Sequence, residues 1–194
     1  TANFATAYQL TETVNGTGHG TVTPGSGGYY ASGSMVTLDP TAATCSVLGG
    51  YSSNAPGGDV TFTGPEAVTI TFNDNTSQLV GTLPASGSAT GPVTFTYGGD
   101  RRVSGTNRWQ RAYTLTNTGP ALTNLYLALD PVTNVTSLYN AVGTTQCAAP
   151  LGDGYIQVAS LAQGKSVLVL LDVVTANPAA RWTANLRLLS GGKP

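Results

Sequence analysis

A chain of 194 residues has room for one large β-domain or two small ones, since domains commonly run about 100–150 residues. Charged residues make up 9 % and hydrophobic residues 40 %, a balance that excludes intrinsic disorder, which needs high net charge and few apolar side chains. The formal net charge of −1 supplies no electrostatic drive toward nucleic acid. The longest apolar run, near Val167–Val174, is interrupted by Asp172 and falls well short of the ~18 residues of a membrane helix, so neither a nucleic-acid partner nor membrane insertion is expected.

Hydropathy alternates with the period of a β-strand from the start. Tyr8–Val14 places large apolar residues at every second position, as a strand with one buried face must. Asn15-Gly16-Thr17-Gly18-His19-Gly20 follows as a glycine-rich turn whose Asn-Gly pair suits positive φ. Short strands are expected at Thr21–Thr23, Tyr29-Tyr30 and Ser34–Leu38. After a long loop come Asp59–Thr63 and Val68–Phe72, parted by Gly64-Pro65. The shared faces make Tyr8, Leu10, Val22, Val36, Leu38, Phe62, Ile70 and Phe72 the expected core of this half.

Asn73–Gly91 breaks the pattern. It is polar at Asn73–Ser77 and rich in Ser, Gly and Ala at Pro84–Gly91, which places a domain boundary here and gives domains 1–76 and 77–194. The charges change sign in the same region. Residues 1–99 hold five acids and no Lys or Arg, a charge of −5, whereas residues 100–194 hold eight bases and four acids, a charge of +4; such asymmetry suggests two units with separate histories. The chain opens on Thr1 rather than Met and shows no signal peptide, so it reads as a processed or excised fragment, expected to be monomeric.

Beyond the boundary, strands are expected at Val93–Tyr97, Trp109–Asn117, Leu122–Leu129, Ser137–Tyr139, Tyr155–Val158, Val167–Val174 and Trp182–Leu189, the spacing of an immunoglobulin-like sandwich. Val167–Leu171 is apolar on both faces and is expected as a central strand covered on each side. The expected core is Phe95, Tyr113, Leu115, Leu127, Leu129, Val167, Val169, Leu171, Trp182, Leu186 and Leu188. No convincing amphipathic helix occurs, so the chain should be all-β.

Two resemblances rest on particular residues. Tyr8-Gln9-Leu10-Thr11, Gly20-Thr21-Val22-Thr23-Pro24, Tyr30–Leu38 and Val68-Thr69-Ile70-Thr71-Phe72 resemble, in order and spacing, the divergent internalin B-type repeat of bacterial surface proteins. That resemblance covers roughly 6–73 and implies a small β-grasp-like fold. It departs at Leu48-Gly49-Gly50-Tyr51-Ser52, where the family usually has Gly-Trp. Thr96–Arg102, Arg108-Trp109-Gln110-Arg111, Tyr113–Gly119 and Gly143–Pro150 resemble an immunoglobulin-like module found at the C-terminal ends of secreted proteins of soil bacteria. It covers nearly all of 79–194 and implies a sandwich, with no chemistry attached, since sandwich folds host many functions. Together they imply a secreted or cell-surface location.

The motifs that carry chemistry are sparse. His19, the sole imidazole, lies between two glycines in a turn, a poor platform for a catalytic triad. One His and two distant Cys cannot fill a zinc site without carboxylates. Calcium would need loops brought together, with Asp59 or Asp153 as the candidate ligands. Gly16-x-Gly18-x-Gly20 joins two strands and has no Lys near it, unlike a phosphate-binding loop. Lys165 and Lys193, the only lysines, look exposed and unsuited to an intramolecular isopeptide bond. No catalytic residue, metal or cofactor is therefore expected.

Arg101, Arg102, Arg108 and Arg111 form the one charge cluster, around a turn at Ser104–Asn107. Strand alternation puts Trp109 and Arg111 on one face and Arg108 and Gln110 on the other. These five residues, Arg101, Arg102, Arg108, Trp109 and Arg111, are either a contact for an anion or polysaccharide, with Trp109 as a stacking platform, or a solvated hairpin whose charges discourage edge-to-edge pairing.

Cys45 and Cys147, one in each half, form a disulfide in an oxidising compartment or stay as two buried free thiols. A bridge across that span would fix the two domains together and stabilise the fold by about 4–5 kcal/mol in the chain-entropy model.

The leading functional expectation is a non-catalytic extracellular module pair, a spacer, adhesion or protein-interaction unit of a larger protein, with an extracellular protein or polysaccharide as partner. A carbohydrate-binding accessory module is the alternative, resting on Trp109, Trp182 and the tyrosines. A small hydrolase built on His19 or a carboxylate pair is the third.

Overall fold

The computed structural model describes residues 5–194, which divide between Asn75 and Thr76 into two compact units. The fold is all-β.

The first unit runs β1 (Ala7–Asn15), β2 (Gly20–Thr23), β3 (Tyr29–Ala31), β4 (Met35–Thr37), β5 (Asp39–Ala42), β6 (Ser46–Tyr51), a single 3₁₀ turn at Pro56–Gly58, β7 (Asp59–Thr61) and β8 (Glu66–Asp74). Its sheet has the order β3-β1-β8-β6, with β1 and β8 parallel and both outer pairings antiparallel; β2–β5 and β4–β7 are separate two-stranded ribbons. Period-2 alternation sends Val68, Ile70 and Phe72 of β8 to one side, where they meet Leu10, Leu38, Val60 and Phe62. Every core residue expected for this half belongs to that cluster, Tyr8, Val22 and Val36 at its half-buried margin.

The glycines after β1 have a packing role. Gly16 sits at φ +101, and a Cβ there would lie 2.1 Å from the Phe72 carbonyl oxygen; a Cβ at Gly20 would lie 2.4 Å from the Phe72 ring. Backbone and side chain of Phe72 thus lie against the turn that a nucleotide-binding reading would have needed for phosphate.

The second unit is a sandwich of two antiparallel sheets. Its strands are β9 (Ser77–Leu83), β10 (Val93–Tyr97), β11 (Arg101–Arg102), β12 (Arg108–Asn117), β13 (Leu125–Thr133), β14 (Val135–Leu138), β15 (Gly143–Thr144), β16 (Gly154–Val158), β17 (Ser166–Thr175) and β18 (Thr183–Gly191). One sheet has the order β10-β12-β17-β14, with β11 also on β12; the other is β15-β16-β13-β18-β9. Inner faces alternate along each strand: Tyr113 and Leu115 from β12 and Val169, Leu171 and Val173 from β17 meet Leu125, Leu127 and Leu129 from β13 and Leu186 and Leu188 from β18. Buried Asn117 ties loops to this core: its Nδ2 donates to the carbonyls of Pro120 (2.7 Å) and Leu161 (2.9 Å), and its Oδ1 accepts from the Gly119 amide (2.9 Å).

Several sequence expectations need correction. The long loop after Leu38 contains β5 and β6. Pro40 in β5 is tolerated because that strand belongs to a two-stranded ribbon with an open side, and β6, Ser46–Tyr51, is concealed by Gly49-Gly50 at a register shift. The break at Asn73–Gly91 is much shorter than expected: β8 continues through Asp74, and Ser77–Leu83 is β9, an edge strand on β18. The strand expected at Leu122–Leu129 starts at Leu125 and continues to Thr133, with Leu122 held only by an isolated bridge to Leu161. Val167–Leu171 lies inside its sheet but is not covered on both faces, for Leu168 is 71 % and Leu170 46 % exposed while Val169 and Leu171 are buried.

Two measurements follow from these cores. Leu171→Ala should cost about 2–5 kcal/mol, the range for a large-to-small change in a packed core, whereas Leu168→Ser should stay within about 0.5 kcal/mol. Equal losses in urea unfolding would show that both faces of β17 are covered. Separately, with both cysteines changed to Ser, pieces cut between Asn75 and Thr76 should each give a cooperative urea transition and dispersed amide resonances, since each contains its own apolar cluster. Collapse of the dispersion in both pieces would mean that neither cluster suffices alone.

Candidate functional site

The arginine cluster is organised by β12. Its register with β17 sets Gln110 opposite Asp172 and Arg108 opposite Val174. On the outer face, Arg108 forks onto Asp172, Nε to Oδ1 at 2.9 Å and Nη2 to Oδ2, while Gln110 Nε2 donates to Oδ2 at 2.9 Å. The Arg108 guanidinium also lies 3.4 Å from the centroid of the Tyr139 ring, a cation–π contact. Burial opposes the charge of Asp172, but the hydrogen bonds from Arg108 and Gln110 outweigh it and hold the carboxyl below its usual range. Arg108 is thereby committed to the fold.

The other face of β12 carries Trp109, Arg111 and Tyr113 toward one end of the sandwich. Trp109 packs against the core with its Nε1 buried and unpartnered, so it is not an open stacking platform. Arg111 donates from Nε and Nη2 to the two oxygens of Asp100, at 2.6 and 2.8 Å, and from Nη1 to the Tyr113 hydroxyl at 3.0 Å. Its guanidinium lies 4.2 Å from the centroid of the buried Trp182 ring and 4.9 Å from that of Tyr97. Burial disfavours the Arg111 charge, yet its bonds to Asp100 and Tyr113 raise its basicity above the ordinary value. Burial also pushes the Tyr113 hydroxyl up, against the opposing pull of Arg111.

Around this pair the surface is concave. Tyr97, Gly98, Gly99, Asp100, Trp109, Arg111 and Arg181 line a cleft of about 500 Å³, within the ~300–1,000 Å³ of small-molecule sites. A second hollow of about 190 Å³ shares Tyr97 and Arg111 and continues to Pro84, Tyr113 and Thr183. Arg101 and Arg102 are exposed on β11, opposite Gln110 and Trp109. The five residues expected to bind are thus split: Arg108 belongs to an outer-face ion pair, Trp109 and Arg111 line the cleft, Arg102 is paired with Trp109 and shares its face, and Arg101 is paired with Gln110 on the other face. Tyr97 and Arg181 were not foreseen. Nothing in the alternation marks Tyr97 as exposed, and Arg181 lies outside the run of arginines.

A second ionic cluster was also missed. Arg187, 6 % exposed, donates to Asp130 Oδ1 (2.8 Å), Asp153 Oδ2 (2.8 Å) and the carbonyls of Ala149 (2.8 Å) and Pro150 (3.1 Å). Two carboxylates and two carbonyls are a hard-cation ligand set, and here the guanidinium fills it. That is where Asp153, one candidate calcium ligand, is used; the other, Asp59, accepts from Thr37 Oγ1 at 2.6 Å. Among the described residues no group of three or more His, Cys, Asp and Glu could hold a metal. A solitary Arg in the apolar run Leu186–Leu189 was the available signal, because a strand face that buries Leu does not bury Arg unpaired. Burial, then the hydrogen bond with and charge of Asp130, raise the Asp153 carboxyl above its ordinary value despite Arg187.

His19 is exposed, and the bonds at that position are made by its backbone, the amide to Ser46 Oγ at 2.9 Å and the carbonyl from the Ala43 amide at 2.9 Å. Lys165 and Lys193 are exposed. Cys45 and Cys147 are both disulfide-bonded, and neither is a free thiol. No helix among the described residues is long and apolar enough to cross a membrane. No protein-family model, curated protein or solved structure matches the chain.

The two perturbed carboxyls of the second unit act on stability with opposite signs. Asp172, lowered, contributes stability that is present above its unfolded value, 3.8, and lost as pH falls through its folded value. Asp153, raised, contributes stability that is present below 3.8 and lost as pH rises through its folded value. As pH rises through the carboxylate range, Asp172→Asn should therefore lose ground on wild type and Asp153→Asn should gain ground. Urea midpoints across pH check both slopes; a common sign would contradict one assignment.

Proposed function

We propose that the chain is a pair of non-catalytic β-modules, a spacer, adhesion or protein-interaction unit of a larger secreted or surface-anchored bacterial protein. The observation that carries this reading is the commitment of carboxylates in the second unit: Asp100, Asp130, Asp153 and Asp172 are each held by an arginine. These ion pairs leave none of the second unit's four carboxylates without a cationic partner, and its closest carboxyl pair, Asp130 and Asp153, shares Arg187. The oxidised cysteines support an oxidising compartment, and the resemblances of the two halves to bacterial surface and secreted modules point the same way.

A carbohydrate-binding role is the second reading, favoured by the cleft at Tyr97, Arg111 and Arg181. An aromatic row does not support it: Trp182 is 2 % exposed and Trp109 packs on the core.

The test is paired. Non-reducing denaturation should expose no thiol to Ellman's reagent, and digestion without reductant should leave the Cys45 and Cys147 peptides linked in a monomer. Incubation with polysaccharide, peptide and ester substrates should give no turnover. Two titratable thiols would remove the extracellular assignment, and measurable turnover would remove the non-catalytic one.

A further inference from the structure

We infer that the cleft bounded by Tyr97, Trp109, Arg111 and Arg181 binds a carboxylated saccharide, the Arg181 guanidinium taking the carboxylate and the Tyr97 ring taking the sugar face. This deepens the proposed module function and rests on it only in placing the chain outside the cell.

The charge arrangement selects an anion. The single acid of the cleft, Asp100, is consumed by Arg111 through two hydrogen bonds. Arg181 is exposed, and among the described residues its guanidinium makes no hydrogen bond or ion pair. The cleft therefore presents one uncompensated guanidinium, whose planar fork matches a carboxylate in bidentate fashion. Arg102 lies opposite Trp109 in the β11–β12 pairing, which puts its side chain on the same sheet face and adds positive potential at the rim.

Ring and floor select a sugar. Tyr97 is 59 % exposed although the Arg111 guanidinium lies 4.9 Å from its centroid and Tyr113 packs 5.4 Å away, tilted. These neighbours fix the ring and leave much of it open. The electron-rich face of a fixed aromatic ring attracts the weakly positive C–H bonds of a pyranose. A Cβ built on Gly98 or on Gly99 would meet nothing within 4 Å, so the floor beside the ring is open space. An acidic peptide would use Arg181 as well, and β10 and β11 are outer strands beside the cleft, so the acidic peptide is the competitor the experiment must separate.

Isothermal titration with tri-galacturonate tests this, with maltotriose as the uncharged sugar and tri-glutamate as the acidic peptide. Tri-galacturonate should bind, more weakly as salt rises. Arg181→Gln and Tyr97→Ala should each weaken it about tenfold or more, as loss of a charge-assisted pair or an aromatic contact does. Arg101→Gln, on the opposite face, should change it less than about twofold. Both cleft side chains are exposed, and unchanged urea midpoints will show that the variants fold. No binding of tri-galacturonate, equal binding of maltotriose, indifference to Arg181→Gln, or tighter binding of tri-glutamate would each overturn the inference. None of these outcomes touches the non-catalytic reading, which fails instead on cleavage of the trisaccharide or on free thiols.

Discussion

The pairing of β12 with β17 is the constraint on which most of the second unit depends. Nine consecutive residue pairs, from Arg108 with Val174 to Thr116 with Ser166, set which side chains of both strands face inward. In that register Tyr113, Leu115, Val169 and Leu171 enter the core, while Arg108, Gln110 and Asp172 meet outside it. A slip of one residue would carry Asp172 into the apolar interior and put Leu171 on the surface. The ion pair and the apolar face thus specify the same alignment, which also sets Arg111 between Trp109 and Tyr113 in the inner row of β12.

Charge is scarce in this chain, and the two units handle it differently. In the second, three arginines satisfy all four carboxylates. The first unit has no Lys or Arg, so neutral groups must serve: Thr37 donates to Asp59, and Asn54 Nδ2 reaches Glu66 at 3.3 Å. Glu12 shows the limit of that arrangement. Its Oε1 is buried without a partner, and burial raises its pKa despite the backbone bond with Ser26. A raised carboxyl of this kind favours the folded state below its unfolded value and ceases to do so as pH climbs past the folded one.

Much of the fold was legible because its strands bury one face. Leu10, Ile70, Phe72, Leu115 and Leu188 could be assigned from alternation alone, and all are buried. Concealment came from residues that break the period for local reasons. Gly49-Gly50 hides β6 at a register shift, Pro40 hides β5 in an open ribbon, and polar Ser77 and Gln78 hide the start of an edge strand. At the site, alternation placed Arg108 and Gln110 together, as found. It could not place Asp100 against Arg111 or Arg181 beside Trp109, because those neighbours come from loops whose paths no period encodes. Tyr97 belongs to the same class, its exposure depending on where β10 ends.

The distribution of cations also constrains where recognition can occur. Every Lys and Arg belongs to residues 100–194, and Arg108, Arg111 and Arg187 are neutralised within the fold. Any site for an anion must then be built from the remainder, Arg101, Arg102, Arg181, Lys165 and Lys193. Of these only Arg181 lines a cleft of about 500 Å³ that also holds aromatic side chains; Lys193 borders a separate hollow of about 260 Å³ beside Tyr126 and Tyr155. The latter has no guanidinium and no second exposed cation along its lining. The first unit is negatively charged and holds neither Lys nor Arg, so His19 is its one side chain able to carry positive charge. Composition thus separates an acidic unit without Lys or Arg from a sandwich in which Arg181 stands beside aromatic side chains in a cleft.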